Sequence, residues 1–229
     1  MAENEETSQK QEVSSSPYID LPPRFDRWEP IAEVIATVVL AFATLATAWS
    51  GYQSARWGGE QSTSYSQAGA LRTESTRAST KAGQQTQVDI GLFTNWINAY
   101  AEENQRLVDF YQKRFRDEFK PAFEAWLATD PANNPEAPTS PFSMPEYQLS
   151  MAAEADRLEM EAEATFAKGT EANQTSDNYI LNTVFLASVL FLGGISTRFK
   201  AMSARWVIIL FSLAVLAYGL INLLTYPVI

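Results

Sequence analysis

The side chains that most often carry out chemistry in enzymes are missing from this sequence. Its 229 residues include no histidine and no cysteine, which supply the usual general base, the thiolate nucleophile and the commonest metal ligands. An enzyme would have to work with carboxylates, lysine or tyrosine. The candidate carboxylates Glu154, Glu159 and Glu163 are spread along an Ala/Glu-rich segment, which predicts a solvated helix face. We therefore expect no catalytic residue, no metal site and no cofactor.

Glu33 is the only charged residue between Ile31 and Ser50, in the first apolar segment. An acidic side chain in a membrane span is a functional candidate, because its burial in lipid is expensive. A carboxylate in the first turn also favours the positive end of the helix dipole. We predict this structural role for Glu33, with Arg198, Lys200 or Arg205 as its partner. A role in an ion path is the alternative.

Two amide side chains lie inside the other two apolar segments. Asn182 is about one turn into the second segment, and Asn222 is about one turn before the end of the third. If the segments are antiparallel, the two side chains lie at similar depth. We predict that they form a hydrogen bond with each other, since lipid offers no partner; an ion path is again the alternative.

The first apolar segment carries two stripes that differ in side-chain size. Steps of four and three residues follow one face of a helix. The small stripe consists of Thr37, Ala41, Thr44, Ala48, Gly51 and Ala55. The large stripe consists of Ile31, Ile35, Val38, Phe42, Leu45, Trp49 and Tyr52. Helices in lipid associate through small residues, so we predict that the small stripe packs against the other spans or a neighbouring copy. The alternative is that alanine and threonine are simply common in spans.

Three apolar segments are long enough to cross a bilayer, which takes roughly 20 residues of helix. They lie at residues 29–51, 179–197 and 206–227. The sequence therefore predicts an all-α fold with three transmembrane helices and an extramembrane helical bundle between the first and second spans.

The short segment at residues 198–205 contains three basic side chains and no acidic one. Such loops stay in the cytoplasm. Residues 1–28, an acidic tail that we predict to be disordered, then lie on the same side. Residues 52–178 are then predicted to lie outside the cytoplasm.

Residues 52–178 are predicted to form a helical domain with two arms. Small residues continue the helical spacing along the outgoing arm, at Ser64, Ala68, Leu71, Ser75, Ala78 and Ala82. The returning helix has a matching face at Met151, Ala155, Leu158 and Ala162 and continues into the second span. The outgoing arm would reach roughly 100 Å, about twice the length of the returning one. We therefore expect the outgoing helix to fold back near Gly83 to Gly91; the alternative is that the extended proline-rich segment covers the difference.

Aromatic residues at helical spacing follow this arm and are predicted to form the core of the domain. They include Phe93, Trp96, Ile97, Tyr100, Leu107, Tyr111, Phe115 and Phe119. An aromatic ligand platform is the alternative. A proline-rich turn is expected at residues 130–145, because proline interrupts helices and sheets.

Three segments resemble those of uncharacterised bacterial membrane proteins that have one N-terminal span, a helical extramembrane segment and a C-terminal pair of spans. They are the run Ala48-Trp49-Ser50-Gly51-Tyr52-Gln53-Ser54-Ala55-Arg56-Trp57, the run Phe119-Lys120-Pro121-Ala122-Phe123-Glu124-Ala125-Trp126, and Ala172-Asn173 with Asp177 before Tyr179. The resemblance covers most of the chain after the acidic tail. It implies a bacterial inner-membrane location and carries no activity with it.

The expected partners are the lipid bilayer and either further copies of the chain or another membrane protein. A net charge of −10 argues against nucleic acid, whose phosphates need a basic surface. The function expected from these features is a non-enzymatic scaffold, assembly or sensing subunit. The alternative is a channel or transporter component with a path along the first transmembrane helix.

Overall fold

The computed structural model describes residues 28–229, which contain five α-helices and no β-strand. The helices are α1 (Glu29–Ala101), α2 (Gln105–Gln112), α3 (Lys120–Leu127), α4 (Ser150–Ser196) and α5 (Met202–Thr225), with a 3-10 turn at Pro141–Ser143. The predicted acidic tail lies outside the described residues, except for Trp28.

Three of these helices, α1, α4 and α5, are long and apolar enough to cross a membrane. The predicted all-α fold with three transmembrane helices and an extramembrane bundle is therefore confirmed. Only one part each of α1 and α4 is apolar; the remaining, polar parts form the stalk, residues 52–84 of α1 and 150–178 of α4. The head, residues 85–149, completes the extramembrane bundle.

The outgoing helix does not fold back, so that expectation was wrong. Helix α1 is a single helix of 73 residues, which corresponds to roughly 110 Å. Gly83 and Gly91 are both exposed, and a Cβ atom built on either would meet no neighbouring atom. A glycine costs an isolated helix only about 1 kcal/mol, and the packing of α1 along α4 and the head outweighs it.

The stalk packs along the faces that the spacing predicts. On α1, Ser64, Ala68, Ser75, Ala78 and Ala82 are buried, and Leu71 is half-buried. On α4, Ala155, Leu158 and Ala162 are buried, and Met151 is half-buried. Small side chains at spacings of four and three residues allow the two antiparallel helices to approach closely, as in a coiled coil.

The head has an aromatic core between the end of α1, the short helices and the proline-rich turn. The buried members are Phe93, Trp96, Ala99, Val108, Phe115, Phe119, Phe123 and Trp126, with Phe142 and Met144 packed against them. Four predicted core residues lie nearer the surface, namely Ile97, Tyr100, Leu107 and Tyr111. The aromatic segment is not one helix, because α1 ends at a turn in which Glu103 has a positive φ of 56°.

The membrane part is a three-helix bundle in which glycines permit close contact. A Cβ atom on Gly193 of α4 would lie 2.9 Å from Leu40 of α1, and one on Gly219 of α5 would lie 2.8 Å from Leu186 of α4. The connection between α4 and α5 is shorter than predicted, because α5 already begins at Met202.

Candidate functional site

A polar cluster lies inside the membrane bundle where the stalk begins. The Ser50 hydroxyl donates to the carbonyl oxygen of Tyr179 at 2.8 Å, and Asn182 Nδ2 donates to Ser50 Oγ at 3.4 Å. The predicted pairing of amides is present, with Asn222 Nδ2 donating to Asn182 Oδ1 at 3.4 Å. Each helix of the bundle contributes one side chain. Such interhelical bonds stabilise membrane bundles by roughly 0.6 kcal/mol each.

The segment after α5 is fastened to the same end of the bundle. The fully buried amide of Gln53 donates to the carbonyl oxygen of Ile229 at 3.2 Å and accepts from its backbone N–H at 3.3 Å. The Trp57 indole and the Tyr179 hydroxyl both donate to the carbonyl oxygen of Pro227, at 3.0 and 3.1 Å. These contacts satisfy backbone groups that follow the end of the helix.

Glu33 is not the partner of the basic residues at the opposite end of the bundle, which corrects the predicted pairing. Arg205 is buried in α5 and lies 3.7 Å from the carboxylate of Glu29. Glu33 is exposed and forms no ion pair among residues 28–229. Glu29 precedes Glu33 by about one turn of α1 and lies nearer to the side of α1 that packs against α5. Its carboxylate therefore reaches Arg205, and that of Glu33 does not.

All six residues of the small stripe are exposed in the single chain. Of the two partners predicted for this stripe, the other two spans are therefore ruled out, and packing against a neighbouring copy remains a prediction. The buried face of α1 instead carries Ala32, Ala36, Val39, Ala43 and Ala46. At about 100° per residue, the small stripe, the large stripe and this packed face are about 120° apart. Side-chain size alone could not show which of two faces packs inside the bundle, because both carry mainly small residues.

The head contains a buried charged network that connects α1 to the start of α4. Asp89 is fully buried, and its Oδ2 accepts from Arg116 at 2.8 Å and from the Tyr147 hydroxyl at 3.1 Å. Arg116 also pairs with Glu118. Glu118 in turn accepts from the backbone N–H of Ser150 at 3.0 Å, at the first residue of α4.

Burial raises the pKa of Asp89, against the opposing effects of Arg116 and Tyr147. The pKa of Glu118 is lowered, chiefly by its hydrogen bonds to Ser150. Sequence spacing favours local pairs around Arg116, because Asp117 and Glu118 are adjacent. It gave no signal for Asp89, which is 27 residues earlier in the chain.

Several buried polar atoms of α1 have no hydrogen-bond partner among the described residues. They are Gln85 Oε1, Asp89 Oδ1 and Trp96 Nε1, and all three belong to the head. Buried polar atoms usually have a hydrogen-bond partner. These three atoms could therefore each form one further hydrogen bond.

A cavity of about 610 Å³ opens between the end of α1, α2 and the segment after α3. Its walls include Trp96, Tyr100, Val108 and Trp126. The volume is within the range of small-molecule sites, and an apolar wall with a few polar groups is typical of them. No cluster of His, Cys, Asp and Glu within residues 28–229 could hold a metal ion.

Residues 28–229 thus form an all-helical fold with three helices that are apolar enough to cross a membrane, an antiparallel helical stalk and an aromatic head. No family model, curated protein or solved structure matches the chain.

Proposed function

We propose that the protein is a non-enzymatic membrane subunit that acts as a scaffold, assembly factor or sensor through helix packing. The observation that carries the proposal is the continuity of α1 and α4 through the bundle and the stalk. From Tyr52 to Trp96 the rise of α1 amounts to roughly 66 Å. The head is thus held far from the bilayer by two packed helices. Because each helix is continuous, a displacement of one helix at the head would also shift that helix in the membrane bundle.

The proposed assembly surface is the small stripe on α1. Its residues are exposed about 120° around α1 from the packed face, where a bilayer would otherwise meet them. Small residues allow the backbones of two membrane helices to come close, which is the main source of association in lipid. A second copy of the chain is the partner that we propose, and another membrane protein is the alternative.

We place the N-terminal end of α1 and the connection between α4 and α5 in the cytoplasm of a bacterial cell, with the stalk and head outside the inner membrane. Arg198, Lys200 and Arg205 support this orientation through the preference of basic residues for the cytoplasmic side. The sequence resemblance to bacterial membrane proteins supports the location.

The alternative of a path along α1 has less support from the geometry. The hydroxyls of Thr37 and Thr44 donate to the carbonyl oxygens of Glu33 and Leu40 in their own helix, at 2.8 Å in each case. A threonine bonded in this way is already satisfied, so it gives no sign of lining an aqueous path.

The assembly proposal is tested by the mass of the purified protein in nanodiscs or mild detergent. We expect particles larger than one chain. Replacing Ala41 or Ala48 with isoleucine should shift them toward monomers, because the added methyl groups separate the helices.

The matched control is Ala214→Ile, the same change at an exposed position of α5. It should leave the particle mass unchanged. A wild-type protein that remains monomeric at every concentration would refute the proposed assembly, and equal effects of all three substitutions would refute the assignment to this stripe.

A further inference from the structure

The cavity of the head has a buried aromatic floor and a more exposed rim. Trp96, Val108 and Trp126 are almost fully buried, whereas Tyr100 is 56% exposed. The indole N–H of Trp126 donates to the carbonyl oxygen of Pro138 at 2.7 Å, which fixes this ring in place. The Trp96 and Tyr100 rings are stacked, with centroids 5.4 Å apart and planes at 14°.

The charge on the lining is negative. Among its residues Asp130 is the one ionisable acid, and none is lysine or arginine. The Asp130 carboxylate accepts from the Asn133 amide at 3.0 and 3.2 Å but forms no ion pair within the described chain. A neutral amide leaves the carboxylate charge uncompensated.

An aromatic lining with one carboxylate and no basic side chain disfavours anions and favours cations. An anion would meet the exposed Tyr100 ring and a carboxylate without any cation to pair with. A cation is attracted by the face of an aromatic ring such as Tyr100 within about 6 Å of the ring centre, and by the carboxylate. The net charge of −10 on the whole chain also favours the approach of cations.

We infer that the cavity of the head is a binding site for a small organic ammonium ion, a methylated or protonated amine on an apolar body. The rings of Trp96, Tyr100 and Trp126 form the apolar wall, and Asp130 supplies the counter-charge at the rim. This site is independent of assembly through α1. It gives the head a ligand to recognise outside the bilayer.

The experiment compares choline with its uncharged carbon isostere, dimethylbutanol, by isothermal titration on the full chain in nanodiscs. The two molecules have nearly the same shape, so the comparison isolates the charge. We expect choline to bind and the isostere to bind about tenfold more weakly, the loss expected from a cation–aromatic contact together with the attraction of Asp130.

Two substitutions at exposed positions test the residues without disturbing the buried core. Tyr100→Leu removes one ring from the wall and should weaken choline binding by about threefold to tenfold. Asp130→Asn removes the counter-charge and should weaken it by about threefold. Asp156→Asn, the same charge change on an exposed part of α4, is the control and should leave binding unchanged.

Equal binding of choline and the isostere would overturn the assignment of a cation. Absence of binding by both, in protein whose head is folded by near-ultraviolet circular dichroism, would overturn the site itself. An unchanged affinity in both Tyr100→Leu and Asp130→Asn would show that choline binds elsewhere, which also overturns the inference. None of these outcomes depends on whether the chain assembles.

Discussion

Single residues in the head determine how it responds to pH, and two carboxylates do so in opposite directions. Asp89 has a raised pKa because it is buried. Its contribution to stability is fully present below its ordinary pKa and is lost as pH rises through the raised value. Glu118 has a lowered pKa because it accepts hydrogen bonds from Ser150. Its contribution is present above its ordinary pKa and is lost as pH falls through the lowered value.

Asp89→Asn and Glu118→Gln should therefore change the pH dependence of stability with opposite signs. As pH rises above the ordinary pKa of aspartate, about 4, Asp89→Asn should gain stability relative to the wild type. As pH falls below the ordinary pKa of glutamate, also about 4, Glu118→Gln should gain. The free energy of unfolding of the head, followed by aromatic circular dichroism in denaturant, measures both. Parallel curves for both variants and the wild type would contradict these assignments.

At the scale of elements, the membrane bundle depends on which side of a helix a glycine faces. Gly193 and Gly194 are consecutive residues of α4, but Gly193 is buried against Leu40 and Gly194 is exposed. Neighbouring residues of a helix are about 100° apart. The same substitution at the two positions therefore separates the effect of packing from that of helix propensity.

Gly193→Leu should destabilise the bundle by about 1–3 kcal/mol, because the added side chain has no room beside α1. Gly194→Leu should leave the stability unchanged or slightly higher, since leucine favours helix more than glycine does. Thermal unfolding in a mild detergent compares the two variants. Equal loss of stability in both would show that α4 does not approach α1 through this face.

At the scale of the whole molecule, the continuity of α1 determines the distance between the head and the bilayer. The chain has no cysteine, so introduced pairs can be spin-labelled without side reactions. Ser62 and Asn98 are exposed and lie on opposite sides of the glycine-containing segment at residues 83–91.

Spin labels at positions 62 and 98 should be roughly 54 Å apart if α1 is unbroken, against roughly 20 Å if the helix folds back near residue 87. Pulsed dipolar spectroscopy distinguishes these values. A pair at Ser62 and Lys81, both before the possible break, serves as the control and should give roughly 29 Å in either case. A short distance for the first pair would refute the extended stalk.

Several parts of this architecture could be predicted from the local pattern of residues in the sequence. The spacing of Ser64, Ala68 and Ala82 identified the buried face of the stalk, because residues three and four apart share one side of a helix. The pairing of Asn182 with Asn222 followed from equal depth in antiparallel spans, and the aromatic core followed from the spacing of Phe93 and Trp96.

Other features depended on contacts between distant residues. The buried face of α1 in the membrane has alanines like those of the small stripe, so composition could not select it. The ion pair of Asp89 with Arg116 required α1 to remain straight past Gly83. The cavity required α2 and the segment after α3 to pack beside the end of α1.

The amino-acid sequence by itself determined that this chain is helical, that three segments are apolar enough to cross a bilayer, and which residues share each face. These properties depend on the composition and period of neighbouring residues. Only the tertiary structure decided which face meets which helix, where the charges of the head pair and where a cavity remains. Those outcomes depend on the packing of segments far apart in the chain, and packing energies are decided by shape as well as by pattern.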